Sequence, residues 1–206
     1  MEFKISREFL SEIEQLISEN KAQELLLLLE DIHFADIAEI MEELDDHGAA
    51  YIFNTLDSEK TAEILLELDD EVREKILRNL SPKEIAEELD ELSTDDAADI
   101  IAELPQHKKE QVISELEDVE HAKDIVDLLR YDENTAGGIM AKELVKVNEN
   151  WNVLTCVKEM RHQAENVTRV HSIYVVDDED RLKGRLSLKD LLTTSTKTPI
   201  SEVYIR

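Results

Sequence analysis

The chain has 206 residues, 42% of them hydrophobic, which is enough to bury a core in one or two modest domains. Its 50 acidic and 23 basic side chains give a net charge of −27, and such a field repels nucleic acid and anionic lipid and concentrates cations. A single cysteine cannot form an intramolecular disulfide, and no apolar run approaches the roughly 18 residues of a membrane span, so we expect a cytosolic chain without direct membrane insertion.

The first part of the chain is predicted to be two helices followed by a repeat of 12 residues. Apolar spacing predicts helices over residues 6–19 and 22–29. A leucine then recurs at every twelfth position: Leu44, Leu56, Leu68, Leu80, Leu92, Leu104, Leu116 and Leu128. Similar strings precede these leucines, such as "AEIMEEL" at 38 and "AEILLEL" at 62. Each unit is therefore predicted to be a short helix and a turn.

Helix start signals agree with this division. The segment Ser81-Pro82-Lys83-Glu84 has the sequence of a capping box, with proline at the first helical position. The segment Ser93-Thr94-Asp95-Asp96 is predicted to start the next helix in the same way. A helix of about two to three turns cannot bury its apolar stripe alone. We therefore expect the helices to pair into 24-residue hairpins that stack as an α-helical superhelix.

The helix predicted after Ser93 has an apolar face and an acidic face. Ala97, Ile100, Ile101 and Leu104 lie on one side, and Asp95, Asp96, Asp99 and Glu103 lie on the other. Asp95 and Asp99 are one turn apart and repel each other unless a cation lies between them. From spacing alone, a solvated acidic face is a better explanation of this pair than a cation site.

The charge is concentrated in the repeat. Residues 31–130 hold 31 acidic and 9 basic side chains, whereas residues 131–206 hold 12 and 11. A boundary is therefore predicted near residue 131. Gly137 and Gly138 follow it and make up half of the chain's four glycines, so we expect a sharp turn with positive φ and a hinge at this pair.

After the glycines the pattern becomes strand, helix, strand, strand and helix. The strands are predicted at "ELVKV" (143–147), "SIYVVD" (172–177) and "LKGRLS" (182–187), with a helix from about Trp151 to Gln163 and a last helix at "LKDLL". A helix between the first two strands implies a parallel pair, and the acidic turn 177–180 implies an antiparallel hairpin.

Two stretches of this second part carry a family resemblance. The segment "IYVVDDEDRLKGRLSLKDLL" resembles the second half of a cystathionine-beta-synthase (CBS) domain. The preceding "TAGGIM" (135–140) resembles the Thr-Ala-Gly-x-x-Met entry to the first CBS domain of MgtE-family magnesium transporters and channels, and the acidic repeat is similar to that family's cytosolic N-terminal domain. The resemblance implies an acidic helical-repeat domain at 1–131 and a single CBS domain at 132–206.

The chain departs from the CBS pattern at two positions. Asp180 replaces the usual turn glycine, and it can adopt a left-handed conformation at modest cost. Arg185 replaces the usual apolar residue after Gly184, which argues against deep burial of that edge.

The resemblance also implies function. A second CBS domain and a transmembrane pore are expected in the same polypeptide, with this part on the cytoplasmic side of the cell (inner) membrane. The family's N domain supplies carboxylate ligands to regulatory Mg²⁺ ions, and its positions match Asp95, Asp99 and, less closely, Glu63. Mg²⁺ prefers oxygen ligands and keeps several waters, so few carboxylates suffice.

The CBS resemblance suggests two further partners. Ser187 and Asp190 match the Ser/Thr-x-x-Asp position that holds a nucleotide's ribose and phosphate in many CBS domains, so ATP or another adenine nucleotide is a candidate ligand. Capping of the last helix is the alternative role for this pair, and from the residues alone it is the favoured one. CBS domains usually work in pairs, which implies a homodimer through this domain.

Three functions remain open at this point. The first is a Mg²⁺ sensor in which divalent ions close the acidic domain against the CBS domain. The second is a helical-repeat scaffold for another protein, similar to the short-helix superhelices of flagellar motor switch proteins. The third is a nucleotide-sensing CBS regulator. No nucleophile lies in an elbow or a glycine-rich loop, so an enzyme is not expected.

Overall fold

The computed structural model describes residues 5–132, 134–164, 167, 170 and 172–206. It divides into two compact units, residues 1–139 and residues 140–206. Among the residues described, no helix has both the length and the apolar character needed to cross a bilayer.

The first unit is built from short helices. Their bounds are α1 Arg7–Ser18, α2 Ala22–Leu29, α3 Phe34–Glu43, α4 Asp46–Thr55, α5 Ser58–Glu67, α6 Asp70–Asn79, α7 Pro82–Leu89, α8 Thr94–Glu103, α9 Gln106–Glu115 and α10 Val119–Leu128. Helices two apart along the chain pack together: α3 on α5, α5 on α7, α7 on α9, α4 on α6 and α8 on α10. Successive hairpins therefore stack, which confirms the predicted superhelix.

The repeated leucine marks the end of a helix. Leu56, Leu68 and Leu104 are C-caps with extended backbones, and the residue that follows each one begins the next helix as its N-cap. Asp57, for example, accepts a hydrogen bond from the backbone N–H of Lys60 at 3.1 Å. Two residues thus end one helix and start another, which explains why the period stays at 12.

The two predicted caps have different outcomes. Ser81 and Glu84 form the expected reciprocal capping box, with Pro82 at the first helical position. Ser93 is the N-cap of α8, as predicted, but its side chain makes no capping bond to the backbone of that helix. Its hydroxyl instead contacts the carboxylates of Asp95 and Asp96 in the first turn of that helix.

Several basic side chains of the first unit bind backbone carbonyls of other helices. The Lys60 Nζ donates to the carbonyls of Leu29 and Glu30 at 2.7 and 3.1 Å. Lys108, 48 positions later, donates to the carbonyls of Leu77 and Leu80, each at 2.7 Å. Both lysines therefore satisfy carbonyls at helix C-termini, where a positive charge is favourable.

The second unit is the predicted β-α-β-β-α domain. Its elements are β1 Val145–Asn148, α11 Val153–Gln163, β2 Ile173–Val176, β3 Leu182–Leu186 and α12 Leu188–Thr193, followed by a 3-10 turn at Ile200–Glu202. Strand β2 lies in the middle, parallel to β1 and antiparallel to β3, as predicted. Alternate strand residues such as Val145, Val147 and Val175 are buried with Cys156 of α11. Burial raises the pKa of the Cys156 thiol to about 11.

Both departures from the CBS pattern have a structural consequence. Asp180 adopts a positive φ of 60°, as expected for a residue in place of a turn glycine. Arg185 is exposed, and its backbone N–H and carbonyl pair with those of Ile205, at 2.9 Å each. The adjacent Gly184 is needed for this contact, because a β-carbon there would lie 2.2 Å from the Ile205 carbonyl oxygen.

Candidate functional site

The acidic face of α8 contains the predicted metal ligands. Ala97 and Ile101 are fully buried and hold the helix in the stack. Asp95 is half-buried and Asp99 is exposed, one helical turn further on. Because the apolar stripe fixes the orientation of α8, both carboxylates lie outside the core, and the predicted division into faces is confirmed.

A serine hydroxyl links the first two carboxylates of this face. Ser93 Oγ lies 2.7 Å from Asp95 Oδ1 and 2.7 Å from Asp96 Oδ2. The hydroxyl has one hydrogen and can donate it to only one of them. The two carboxylates are thus held close together without being neutralised. The sequence did not predict this contact, because a serine at this position is typical of a helix cap.

Arg73 of α6 binds the last acid on the same face. Its guanidinium donates to both carboxylate oxygens of Glu103 at 3.0 and 2.8 Å, and it also binds Asp70 at 2.6 Å. The hydrogen bonds and charge of Glu103 raise the pKa of Arg73. Glu103 is therefore neutralised by an arginine, whereas Asp95 and Asp96 share one neutral hydroxyl.

Glu63 lies apart from that helix. It is half-buried on α5, whereas Asp95 and Asp99 share α8. Across the described part of the chain, no three His, Cys, Asp or Glu side chains gather closely enough to hold a metal ion. The structure therefore places Asp95 and Asp99 one turn apart on the same helix, but it does not complete a coordination shell around them with Glu63.

Ser187 and Asp190 lie at the start of α12. Ser187 is the N-cap, and its Oγ accepts a hydrogen bond from the Lys189 N–H at 3.2 Å. Asp190 lies in the first turn and is half-buried. The alternative role in helix capping is therefore confirmed for Ser187.

The segment before the second unit is a hydrogen-bonded turn. Thr135 N–H donates to the Asp132 carbonyl at 2.9 Å, and Gly138 N–H donates to the Thr135 carbonyl at 3.0 Å. The predicted positive φ is wrong, since none of the glycines that the structure describes, Gly137 and Gly138 among them, has one. Gly137 instead provides space, because a β-carbon on it would lie 2.2 Å from Cδ1 of Tyr131.

Two known protein families match consecutive parts of the chain. Residues 32–134 match the MgtE intracellular N domain, and residues 136–197 match the CBS domain. The fold and the acidic face thus define a helical-repeat domain followed by a CBS domain. The chain belongs to the MgtE family and corresponds to its cytosolic N-terminal and CBS region.

Two curated relatives are similar over part of their length. The magnesium transporter MgtE of Thermus thermophilus is 41% identical over 76 residues, which is 37% of this chain and 17% of the relative. The magnesium transporter MgtE of Enterococcus faecalis is 36% identical over 84 residues, which is 41% of this chain and 18% of the relative.

Two solved structures are similar over nearly the whole chain. The soluble part of a magnesium transporter superposes with a TM-score of 0.76 at 26% identity, covering 95% of this chain and 77% of that one. The cytosolic domain of the Mg²⁺ channel MgtE in complex with ATP superposes with a TM-score of 0.84 at 32% identity, covering 95% and 80%.

Proposed function

We propose that this chain is the Mg²⁺-sensing regulatory region of a magnesium transporter or channel. It lies on the cytoplasmic side of the membrane, and the rest of the polypeptide supplies the transmembrane pore. The observation that carries the proposal is the acidic face of α8, where Asp95 and Asp96 share one hydroxyl and Asp99 follows one turn later. Crowded carboxylates are costly without a cation, and hydrated Mg²⁺ is a suitable one.

The first unit has few basic charges available to neutralise that face. Lys60 and Lys108 bind carbonyls of other helices, Lys109 binds the Ala102 carbonyl, and Arg73 binds Glu103. The excess of 31 acids over 9 bases in residues 31–130 therefore stays largely uncompensated. Dissolved cations must therefore neutralise the remaining negative charge.

Gating follows from the same charges. At high Mg²⁺, ions bound by Asp95 and Asp99, and ions bound at the separate position of Glu63, favour closure of the acidic domain against the CBS domain. At low Mg²⁺, repulsion between carboxylates opens the arrangement, with Gly137 and Gly138 as the hinge. Ligands from the CBS region and water complete the coordination. A scaffold for another protein would show no such dependence on divalent ions.

Limited proteolysis tests this proposal. We expect millimolar MgCl₂ to slow cleavage near Gly137 and Gly138 several-fold, because bound ions hold the closed arrangement. NaCl at equal ionic strength provides only general screening and should reproduce a minor part of the protection. Equal protection by the two salts would contradict the proposal.

Nucleotide binding is a second property that we propose for the CBS domain. A solved relative is described in complex with ATP. Ser187 and Asp190 would contact the nucleotide from the start of α12. We expect Asp190→Asn to weaken ATP binding in equilibrium dialysis; unchanged binding would exclude Asp190 from such a site.

We propose that the chain acts as a homodimer through the CBS domain and is not an enzyme. Leu188 and Leu192, one turn apart on α12, are 58% and 75% exposed and would gain from burial against a partner. Sedimentation should detect a dimer at micromolar concentration that Leu192→Ser weakens. A monomer throughout that range would contradict the dimer.

A further inference from the structure

A buried carboxyl group connects two stacked helices in the middle of the first unit. Glu88 of α7 is 9% exposed, and its Oε2 lies 2.6 Å from Oγ1 of Thr61 on α5, which is 1% exposed. Buried glutamates are normally paired with a base. This one contacts a neutral hydroxyl.

The hydrogen atoms available at this contact favour a protonated carboxyl group. Thr61 Oγ1 is also 2.9 Å from the carbonyl oxygen of Asp57, one turn earlier in the chain. The hydroxyl has one hydrogen, so it cannot donate both to that carbonyl and to the Glu88 carboxylate. If Glu88 is protonated, it donates to Thr61 and Thr61 donates to Asp57. Both short contacts are then hydrogen bonds.

Burial and the surrounding charges also favour the protonated form of Glu88. Burial is the main cause that raises the pKa of Glu88 to about 7, and the negative charges of Glu87, Glu91 and Asp57 add to it, whereas a hydrogen bond that Thr61 donates to the ionised carboxylate lowers it. On α5, Lys60 binds the Leu29 and Glu30 carbonyls and is held away from this contact.

Helix α9 packs on α7 and carries further titratable groups. Lys108 and Lys109 donate to backbone carbonyls of other residues. His107, Glu110 and Glu115 of the same helix are exposed to solvent. The bases of α9 are therefore occupied elsewhere, and its remaining charges are hydrated.

We propose that the contact between Thr61 and Glu88 is a proton-dependent clasp, which holds α5 against α7 when Glu88 is protonated and loosens the stack when Glu88 ionises. The clasp makes the packing of the first unit sensitive to pH near neutrality. It does not depend on Mg²⁺ and would operate under any function of the helical domain.

The direction of the effect follows from the two pKa values. When the contact opens, Glu88 returns to its ordinary pKa of 4.5, whereas in the closed stack the pKa is about 7. Between these values the closed stack binds a proton that the open stack does not. Stability therefore falls as pH rises from 4.5 to about 7, and the loss is fully present above that pH.

Amide hydrogen exchange measures the opening. We expect protection factors in α5 and α7 to fall roughly tenfold between pH 6 and pH 8, after correction for the intrinsic exchange rate, because ionisation favours the open state. Glu88→Gln should abolish this fall, since the amide donates to Thr61 at every pH. Glu87→Gln, an exposed neighbour on the same helix, is the matched control and should retain it.

Titration of the wild-type chain gives an independent test that needs no variant to fold. The side-chain carboxyl carbon of Glu88 should titrate near pH 7 in NMR spectra. A midpoint below pH 5, or an equal loss of protection in wild type and Glu88→Gln, would overturn the clasp.

Discussion

Replacing Asp95 and Asp99 together with alanine is expected to remove most of the stabilisation that Mg²⁺ gives to this chain. A ligand at ten times its dissociation constant stabilises the folded state by about 1.4 kcal/mol per site. The wild-type unfolding free energy should rise by at least this amount in saturating MgCl₂, and that of the double variant should rise by less than half as much. Urea denaturation with and without MgCl₂ measures both increments.

The matched control removes the same charge elsewhere. Glu8 and Glu12 of α1 are also exposed acids one turn apart. Glu8→Ala with Glu12→Ala should leave the Mg²⁺ increment close to that of wild type, because neither residue is a proposed ligand. If general screening caused the increment, the two double variants would lower it equally. If Mg²⁺ raises the unfolding free energy of the Asp95 and Asp99 variant as much as that of wild type, the assignment of these two ligands is wrong.

Arg73→Met is expected to destabilise the first unit by about 2–4 kcal/mol. The arginine side chain is 12% exposed, and its guanidinium joins Glu103 of α8 to the Leu68 carbonyl at the end of α5. The substitution leaves a carboxylate and a carbonyl without their donor. Urea denaturation in the absence of divalent ions measures the loss.

A second arginine on α6 is the control. Arg78 is 69% exposed and forms a single pair with Glu74, so Arg78→Met should cost no more than about 0.5 kcal/mol. The Arg73 variant should also gain more stability from Mg²⁺ than wild type, since Glu103 then adds an unpaired charge to the acidic face. Equal losses in the two arginine variants would contradict the role of Arg73 as a link between helices.

The sequence predicted the fold well because its signals are local. Helix starts at Ser6 and Ser81, the apolar stripe of α8 and the left-handed Asp180 each depend on residues a few positions apart. The 12-residue period adds the stacking, since equally long helices with one apolar face have few other ways to bury it. The parallel and antiparallel strand pairs follow from the lengths of their connections.

The site was harder to predict because its decisive contacts are remote in sequence or compete with local ones. Arg73 and Glu103 are 30 residues apart, and Thr61 and Glu88 are 27 apart, with no motif to join them. Ser93 has the sequence of a cap, yet its hydroxyl binds the neighbouring carboxylates instead. At Gly137 the sequence indicated a need for glycine but not the reason, which is the Tyr131 ring.

Small-angle scattering of the wild-type chain tests Mg²⁺ sensing most directly. Radii of gyration are compared in low salt, in millimolar MgCl₂ and in NaCl of the same ionic strength. If bound ions close the acidic domain against the CBS domain, the radius should fall in MgCl₂ well beyond its change in NaCl, and most of that difference should vanish in the Asp95→Ala and Asp99→Ala variant. A radius that depends on ionic strength alone, with no excess effect of Mg²⁺, would contradict sensing by this part of the protein.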